Sequence, residues 1–249
     1  MSHFHITASC RVGCVRTNNE DMILVGDHLL RNNKYSADID TAETDRLMIA
    51  VADGMGGHCY GEVASEETLD NLRFYFNDLP GNMTASNFEE AMYGWQKSIC
   101  LVINSKGQND PAYRSMGTTL VGLAYYAGRF FWLNCGDSRL YLLHQGVLKQ
   151  ITTDHSIDNL MGREKHSSQI YNCIGGGCKN SHLDMGSMDG QVEPGDVLML
   201  CSDGLTDLVS DEEVRTLLSK GFDADALSDA AEEAGGRDNI SVVVVRIDE

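Results

Sequence analysis

Across residues 118–151 four apolar segments, 118–126, 129–135, 138–144 and 147–151, follow one another almost without pause. Ala127-Gly128 separates the first pair and Gln145-Gly146 the last. A connection that short returns the chain alongside itself, so these segments must pair as antiparallel strands. Layered β proteins reach ~250 residues as one unit. With 249 residues and neither a repeat nor a Pro-rich linker, a single domain spanning 1–249 is expected.

The remaining segments fall into two periods. Residues 3–10, 22–26, 47–52, 196–201 and 240–245 read as strands, the last two and 47–52 as continuous apolar runs of the kind buried on both faces. Leu69, Leu72, Phe76 and Leu79 recur at intervals of three and four, as do Phe88, Met92, Trp95, Ile99 and Val102, which predicts two helices. Ser86 with Glu89 forms a capping box for the second helix. Ser210 with Glu213 opens a third helix through Leu217 and Leu218, and Leu227, Ala230 and Ala234 mark a fourth. Residues 152–190 are polar, Gly-rich and weakly periodic, and are read as a mobile flap. Antiparallel runs interrupted by paired helices point to two packed sheets covered outside by helices, an α+β architecture.

Chemistry is expected where strands stop. The run Leu47-Met48-Ile49-Ala50-Val51-Ala52 ends in Asp53-Gly54-Met55-Gly56-Gly57-His58, a carboxylate among glycines whose bare backbone admits an ion or a phosphate. Gly136-Asp137, Asp203-Gly204 and Asp238, which follows Gly235-Gly236-Arg237, repeat the pattern at other strand ends. Any one of these aspartates is most simply a cap or a turn residue. Four together, if neighbouring strands bring them to one place, repel one another unless protonated or neutralised, and a bound cation keeps them ionised. Oxygen-only ligands select a hard ion, Mg²⁺ or Mn²⁺. Two such ions in a carboxylate cluster suit in-line displacement on a phosphate ester. Arg16, four residues before Glu20-Asp21, carries a planar fork able to grip two phosphate oxygens.

Composition narrows the setting. A formal net charge of −18 opposes binding to nucleic acid or to an anionic membrane. No apolar run approaches the ~18 residues of a membrane span, and the first residues lack the features of a signal peptide, so a cytoplasmic protein is expected. Its eight cysteines are expected as reduced thiols. Neither of the close pairs, Cys10/Cys14 and Cys173/Cys178, matches a usual zinc spacing.

Taken in order, Gly13-Cys14-Val15-Arg16-Thr17-Asn18-Asn19-Glu20-Asp21, Val51-Ala52-Asp53-Gly54-Met55-Gly56-Gly57-His58, Gly117-Thr118-Thr119, Asn134-Cys135-Gly136-Asp137-Ser138-Arg139, Thr153-Asp154-His155-Ser156, Cys201-Ser202-Asp203-Gly204-Leu205 and Gly236-Arg237-Asp238-Asn239-Ile240-Ser241 resemble the type 2C, metal-dependent serine/threonine protein phosphatases in their compact bacterial form. The resemblance covers nearly the whole chain. It implies a four-layer sandwich of two antiparallel β-sheets flanked by α-helices, with a two-metal site at one edge. Asp53 would bridge both Mn²⁺ or Mg²⁺ ions, Asp203 and Asp238 would complete the first, and the Gly54 carbonyl would join the second. Glu20 and Asp21 would act through waters, Asp137 with Asp203 would hold a weaker third ion, and Arg16 would bind the substrate phosphate. Residues from Thr153 to about Leu183 would form a flap over the site. The implied reaction is hydrolysis of phosphoserine or phosphothreonine by a metal-bridged hydroxide, with no phosphoenzyme. The implied partners are phosphorylated substrates of a serine/threonine kinase, met by a monomer.

One position departs from the pattern. Many eukaryotic relatives carry a histidine, taken as the general acid, two residues after the bridging aspartate, and this chain carries Met55. His58 or a metal-bound water must then protonate the leaving group, and water is the favoured donor. A cysteine-nucleophile phosphatase is disfavoured, because no cysteine sits in a loop closed by an arginine five residues on. A catalytically silent phosphoprotein-binding scaffold and a hydrolase of small phosphoesters are the competing readings.

Overall fold

The structure is a computed structural model that describes residues 3–56, 60–163 and 169–248. The chain opens with β1 (His3–Arg11), β2 (Met22–Val25), β3 (His28–Leu30), β4 (Asn33–Asp40) and β5 (Arg46–Ala52). A short strand, β6 (Gly54–Met55), precedes two long helices, α1 (Gly61–Asn77) and α2 (Ala85–Asn109). Then come β7 (Gly117–Thr118), β8 (Leu120–Tyr126), β9 (Arg129–Cys135), β10 (Arg139–His144) and β11 (Val147–Gln150). One helical turn, α3 (Ile157–Leu160), is followed by β12 (Ile174–Gly175), β13 (Asp184–Ser187) and β14 (Val197–Cys201). The chain closes with α4 (Asp203–Thr206), α5 (Asp211–Ser219), α6 (Ala224–Glu233) and β15 (Ile240–Asp248).

Two large sheets carry the fold, one in the order β11-β10-β14-β15-β1-β4 and the other β13-β9-β8-β5-β2-β3. The hairpins β8-β9 and β10-β11 turn as the sequence requires. Ala127 (φ 50°) and Gly128 (φ 79°), like Gln145 (φ 48°) and Gly146 (φ 79°), place both central residues in the left-handed region, giving turns whose twist matches the flanking strands. The sheets face each other across Phe4, Ile6, Ile23, Ile49, Val51, Leu123, Leu140, Leu198 and Val243. Met48, Ala50 and Ala52 point the other way from β5, into a second core with α1 and α2. A third core joins α5 and α6 to the outer face of β10, β14 and β15. The result is the expected four layers, helix, sheet, sheet, helix. In the second core Phe88 stacks on Tyr126 with centroids 4.7 Å apart. Truncating this buried ring to alanine should cost about 3–5 kcal/mol.

Several elements differ from the sequence expectation. Thr84, not Ser86, caps α2, accepting the Asn87 N–H at 3.2 Å, so Ser86 already lies within the helix. The buried stripe of α2 ends on Ile103 rather than Val102, which is 51% exposed, because a four-residue step from Ile99 lands there. In α6 the buried stripe runs through Leu227 and Ala231, and Ala234 lies past the helix end. The segment 118–126 is split, and Thr119 falls between β7 and β8. The strands β3 and β4 were not anticipated, since β4 buries nothing fully and alternates half-buried Tyr35, Ala37 and Ile39 with exposed polar residues. The stretch 152–190 is more structured than expected. Its β12 pairs with β7 and its β13 with β9, and His155, Asn172 and Leu183 are buried. No helix among the described residues is long and apolar enough to cross a membrane. The described cysteines, Cys10, Cys14, Cys100, Cys135, Cys173, Cys178 and Cys201, are free thiols.

Candidate active site

Strand pairing decides where the carboxylates meet. Asp21 immediately precedes β2 and Asp53 immediately follows β5, and because Met22 pairs with Ala52 in antiparallel register, both acids sit at the same end of their sheet. In the facing sheet Cys201 of β14 pairs with Val242 of β15, which brings Asp203 and Asp238 to the corresponding end. Asp137 lies where the chain passes from β9 in one sheet to β10 in the other. A cavity of about 440 Å³ opens at this edge, and Arg16, Glu20, Asp53, Gly54, Asp137, Asp203 and Asp238 all line it. Asp21, fully buried, stands behind the wall.

The supports of Asp53 and Glu20 are uncharged. Asp53 donates its N–H to Thr119 Oγ1 at 3.0 Å, while its carbonyl accepts the Thr119 N–H and the Thr118 hydroxyl, each at 2.9 Å. Asn239 Oδ1 accepts the Glu20 N–H at 2.9 Å, and its Nδ2 donates to the carbonyls of Val12 and Asn18. Gly54 is needed for a close approach: a Cβ there would lie 2.2 Å from the Gly61 carbonyl oxygen and 2.5 Å from that of Glu20. Thr119 and Asn239 were not singled out from the sequence. Both lie inside the recurring stretches, yet nothing in an uncharged side chain marks it as the prop of a distant carboxylate.

Burial and crowding set the electrostatics. Burial raises Asp53 well above the usual carboxylate range, and the nearby charges of Asp21, Asp203 and Asp137 raise it further. Asp203 is pushed up to about 6 by burial, then by Asp207 and Asp238. Asp137 is pushed up to about 7 by burial, then by Asp203 and Asp154. Asp21 reaches about 7, chiefly through burial, despite a 2.8 Å hydrogen bond from Ser202 Oγ to its Oδ2. Its other oxygen, Oδ1, is buried with no hydrogen-bond partner among the described residues. Arg16 is the one cation among the described residues that line the cavity, and its Nη2 lies 2.7 Å from Asp238 Oδ2. One guanidinium does not balance this many carboxylates. An oxygen-only donor set with raised pKa values and an unpartnered buried oxygen therefore fits hard divalent cations.

Over residues 26–233 the chain matches the family described as protein phosphatase 2C. The chain belongs to that family. It is 33% identical over 252 residues to the protein phosphatase PhpP of Streptococcus pneumoniae, covering 96% of this chain and 95% of that one. It is 32% identical over 245 residues to the serine/threonine protein phosphatase PstP of Mycobacterium tuberculosis, covering 94% of this chain but only 43% of the mycobacterial protein. The solved catalytic domain of PstP in complex with two manganese ions superposes with a TM-score of 0.76 at 30% identity, covering all of both chains.

Two sequence expectations within this phosphatase 2C site remain to be placed. Met55 lines the cavity, and its thioether has no proton to give. His58 lies outside the described residues. From the flap, Ile170 reaches the cavity wall. Among the described residues three metal-capable side chains come within 4.8 Å of one another at His155, His182 and Asp184, within and beside the flap and separate from the aspartates that line the cavity.

Proposed function

We propose that this chain is a metal-dependent protein serine/threonine phosphatase that transfers the phosphoryl group of phosphoserine or phosphothreonine directly to water, with no phosphoenzyme. The observation that carries the reading is the convergence of Asp53, Asp137, Asp203 and Asp238 on one cavity with Arg16 beside them. The names of the relatives and the two manganese ions of the PstP domain support it. Asp53, the Gly54 carbonyl, Asp203 and Asp238 would hold two tight Mn²⁺ or Mg²⁺ ions, with Glu20 and Asp21 acting through waters and Asp137 holding a weaker third. When bound, such ions lower the pKa of a shared water and screen the phosphate oxygens.

The chain's own residues do the rest. Arg16 presents its planar fork at the cavity mouth, where it binds phosphate oxygens and orients phosphorus toward the acidic floor. The paired threonines fix the Asp53 backbone, so its carboxylate keeps its place as charge develops. Cysteine chemistry has little support: burial pushes the thiols of Cys10 and Cys201 up to about 11 and about 12, away from the reactive thiolate. With Met55 in the wall, a cavity water protonates the leaving group rather than His58. The natural partners are phosphoproteins of a serine/threonine kinase, met in the cytoplasm by a monomer whose residues 1–249 act as one catalytic unit, without nucleic acid or membrane.

Turnover of a phosphothreonine peptide against a nucleotide panel, before and after chelation, tests this reading. The peptide should be hydrolysed in preference, only with Mn²⁺ or Mg²⁺ restored. Preference for nucleotides, or metal binding without turnover, would replace it with the small-phosphoester or the scaffold reading.

A further inference from the structure

Asp137 sits between two clamps. On its carboxyl side Ser138 Oγ lies 2.7 Å from Thr119 Oγ1, and Arg139 forks onto Asp154 through Nε at 3.0 Å and Nη2 at 2.7 Å. On its amino side Gly136 is wedged: its φ is +129°, and a Cβ there would lie 2.6 Å from Cβ of Thr119. The other wall of that wedge is His155, which is 1% exposed. His155 donates its N–H to the Gly136 carbonyl at 2.9 Å, and its Nδ1 accepts the Gly136 N–H at 3.1 Å.

The same imidazole, near the start of the flap, also faces the later flap residues. Asn172 Nδ2 also donates to Nδ1, at 2.8 Å, and the orientation of that amide is fixed because it donates to the His182 carbonyl and accepts the His182 N–H. The His155 carbonyl accepts the Tyr171 N–H at 2.9 Å. With two donors aimed at Nδ1, that atom is the acceptor and the ring proton resides on Nε2, which donates to Asp184 Oδ2 at 3.1 Å. In this tautomer no lone pair of His155 is directed at the His182 and Asp184 side, so its Nε2 serves Asp184 as a hydrogen-bond donor and not as a metal ligand.

We propose that His155 is a positioning residue that transmits the seating of the flap to Asp137, through its paired hydrogen bonds with Gly136. The assignment rests on the role in turnover given to Asp137 above. Tyr171 and Asn172 of the flap, with Asp184 just beyond it, hold one side of the imidazole, and the Gly136 N–H holds the other. A substrate that shifts the flap thereby shifts the carboxylate in the cavity.

Two substitutions divide the imidazole's functions. In His155→Asn the amide oxygen takes the place of Nδ1 and keeps the acceptor for Gly136, whereas His155→Gln keeps a donor near Nε2 and loses that acceptor. With saturating Mn²⁺ and a phosphothreonine peptide, His155→Gln should lower kcat ~10-fold with little change in KM, and His155→Asn should restore most of the loss. In an Asp137→Ala background His155→Gln should cost nothing further, since both changes remove one function. Equal fold-losses in the two backgrounds, or wild-type kcat in His155→Gln, would overturn the proposal. An independent readout is the Gly136 amide: its proton should exchange faster and its NMR resonance move in His155→Gln but not in His155→Asn. An inactive wild-type enzyme would overturn the phosphatase reading, and the Gly136 amide would then decide the His155 link by itself, an unmoved resonance ruling it out.

Discussion

Two clusters of acid stand on opposite terms with the protein around them. At the carboxyl end of β1, Arg11 gathers Asp225, Asp229 and Glu232: Nη1 donates to Asp229 and Glu232 at 2.7 Å each, and Nη2 donates to Asp225. Lys34 adds a second cation on Asp225 at 2.6 Å. That cluster is answered from within and fastens α6 to β1. In the cavity Asp53, Asp137, Asp203 and Asp238 meet with Arg16 alone among the described lining residues, and burial followed by the charge of neighbouring carboxylates makes the protons of Asp53, Asp137 and Asp203 hard to remove. A count of acids does not distinguish the two; the presence or absence of built-in counter-ions does. Where a fold withholds them from buried carboxylates, a ligand of positive charge is the missing component.

The comparison breaks most sharply on metal. Exhaustive chelation should abolish turnover and Mn²⁺ or Mg²⁺ should restore it, with zinc a poor substitute; full activity in metal-free enzyme would remove the distinction between the clusters. Asp53→Asn should lower kcat by at least ~10²-fold, about 2.7 kcal/mol of barrier. Asp137→Ala should lower kcat ~10-fold while calorimetry still finds both tight Mn²⁺ sites, and wild-type rates would leave Asp137 a turn residue. Arg16→Ala should raise KM several-fold with a smaller effect on kcat, measured on a phosphopeptide. The least effect on turnover is expected at Arg11. Arg11→Ala should cost about 2 kcal/mol of stability, discounted because its partners are half-exposed, and leave kcat unchanged.

The clusters should also differ in their response to pH. Burial and neighbouring carboxylates raise the folded pKa values of Asp21, Asp137 and Asp203 to about 7, about 7 and about 6, well above the ordinary carboxylate range. Their contribution to stability is fully present below the unfolded value and is lost as pH rises through the folded values. Metal-free protein should therefore melt at higher temperature near pH 5 than near pH 7, and saturating Mn²⁺ should flatten that slope. Asp225 behaves in the opposite sense. Burial would raise its pKa, but Lys34 and Arg11 outweigh burial and lower it, so its contribution is present above the unfolded value and lost as pH falls through the folded one.

What was legible in the sequence follows the same division between charge and scaffold. The hairpins at Ala127-Gly128 and Gln145-Gly146, the doubly buried β5 and the carboxylates that end strands were all readable, because each rests on a local pattern. Thr119 was not, since its bond to Asp53 spans 66 positions and a threonine carries no charge to betray it. Asn239 props Glu20 across 219 positions for the same reason. The edge strand β4 escaped because exposure on one side and polarity along its length erase the alternation that marks a strand. His155 has nothing in Thr153-Asp154-His155-Ser156 to set it apart, and its tie to Gly136 spans 19 positions.

Strand β15 lies between β14 and β1, in the interior of its sheet, although it is the latest strand in the chain. Asp238 stands just before it, and the register Cys10↔Ser241 ties it to residues made more than two hundred positions earlier. During synthesis the earlier strands of that sheet must wait with an open seam until residues 240–248 have left the ribosome. In a chain growing from its amino end, β15 and the neighbouring Asp238 should therefore take their places late, and a nascent chain halted before β15 should lack that part of the cavity wall. Closure of so distant a pairing should also be slow, since the ends of a long loop must meet before any contact between them is gained.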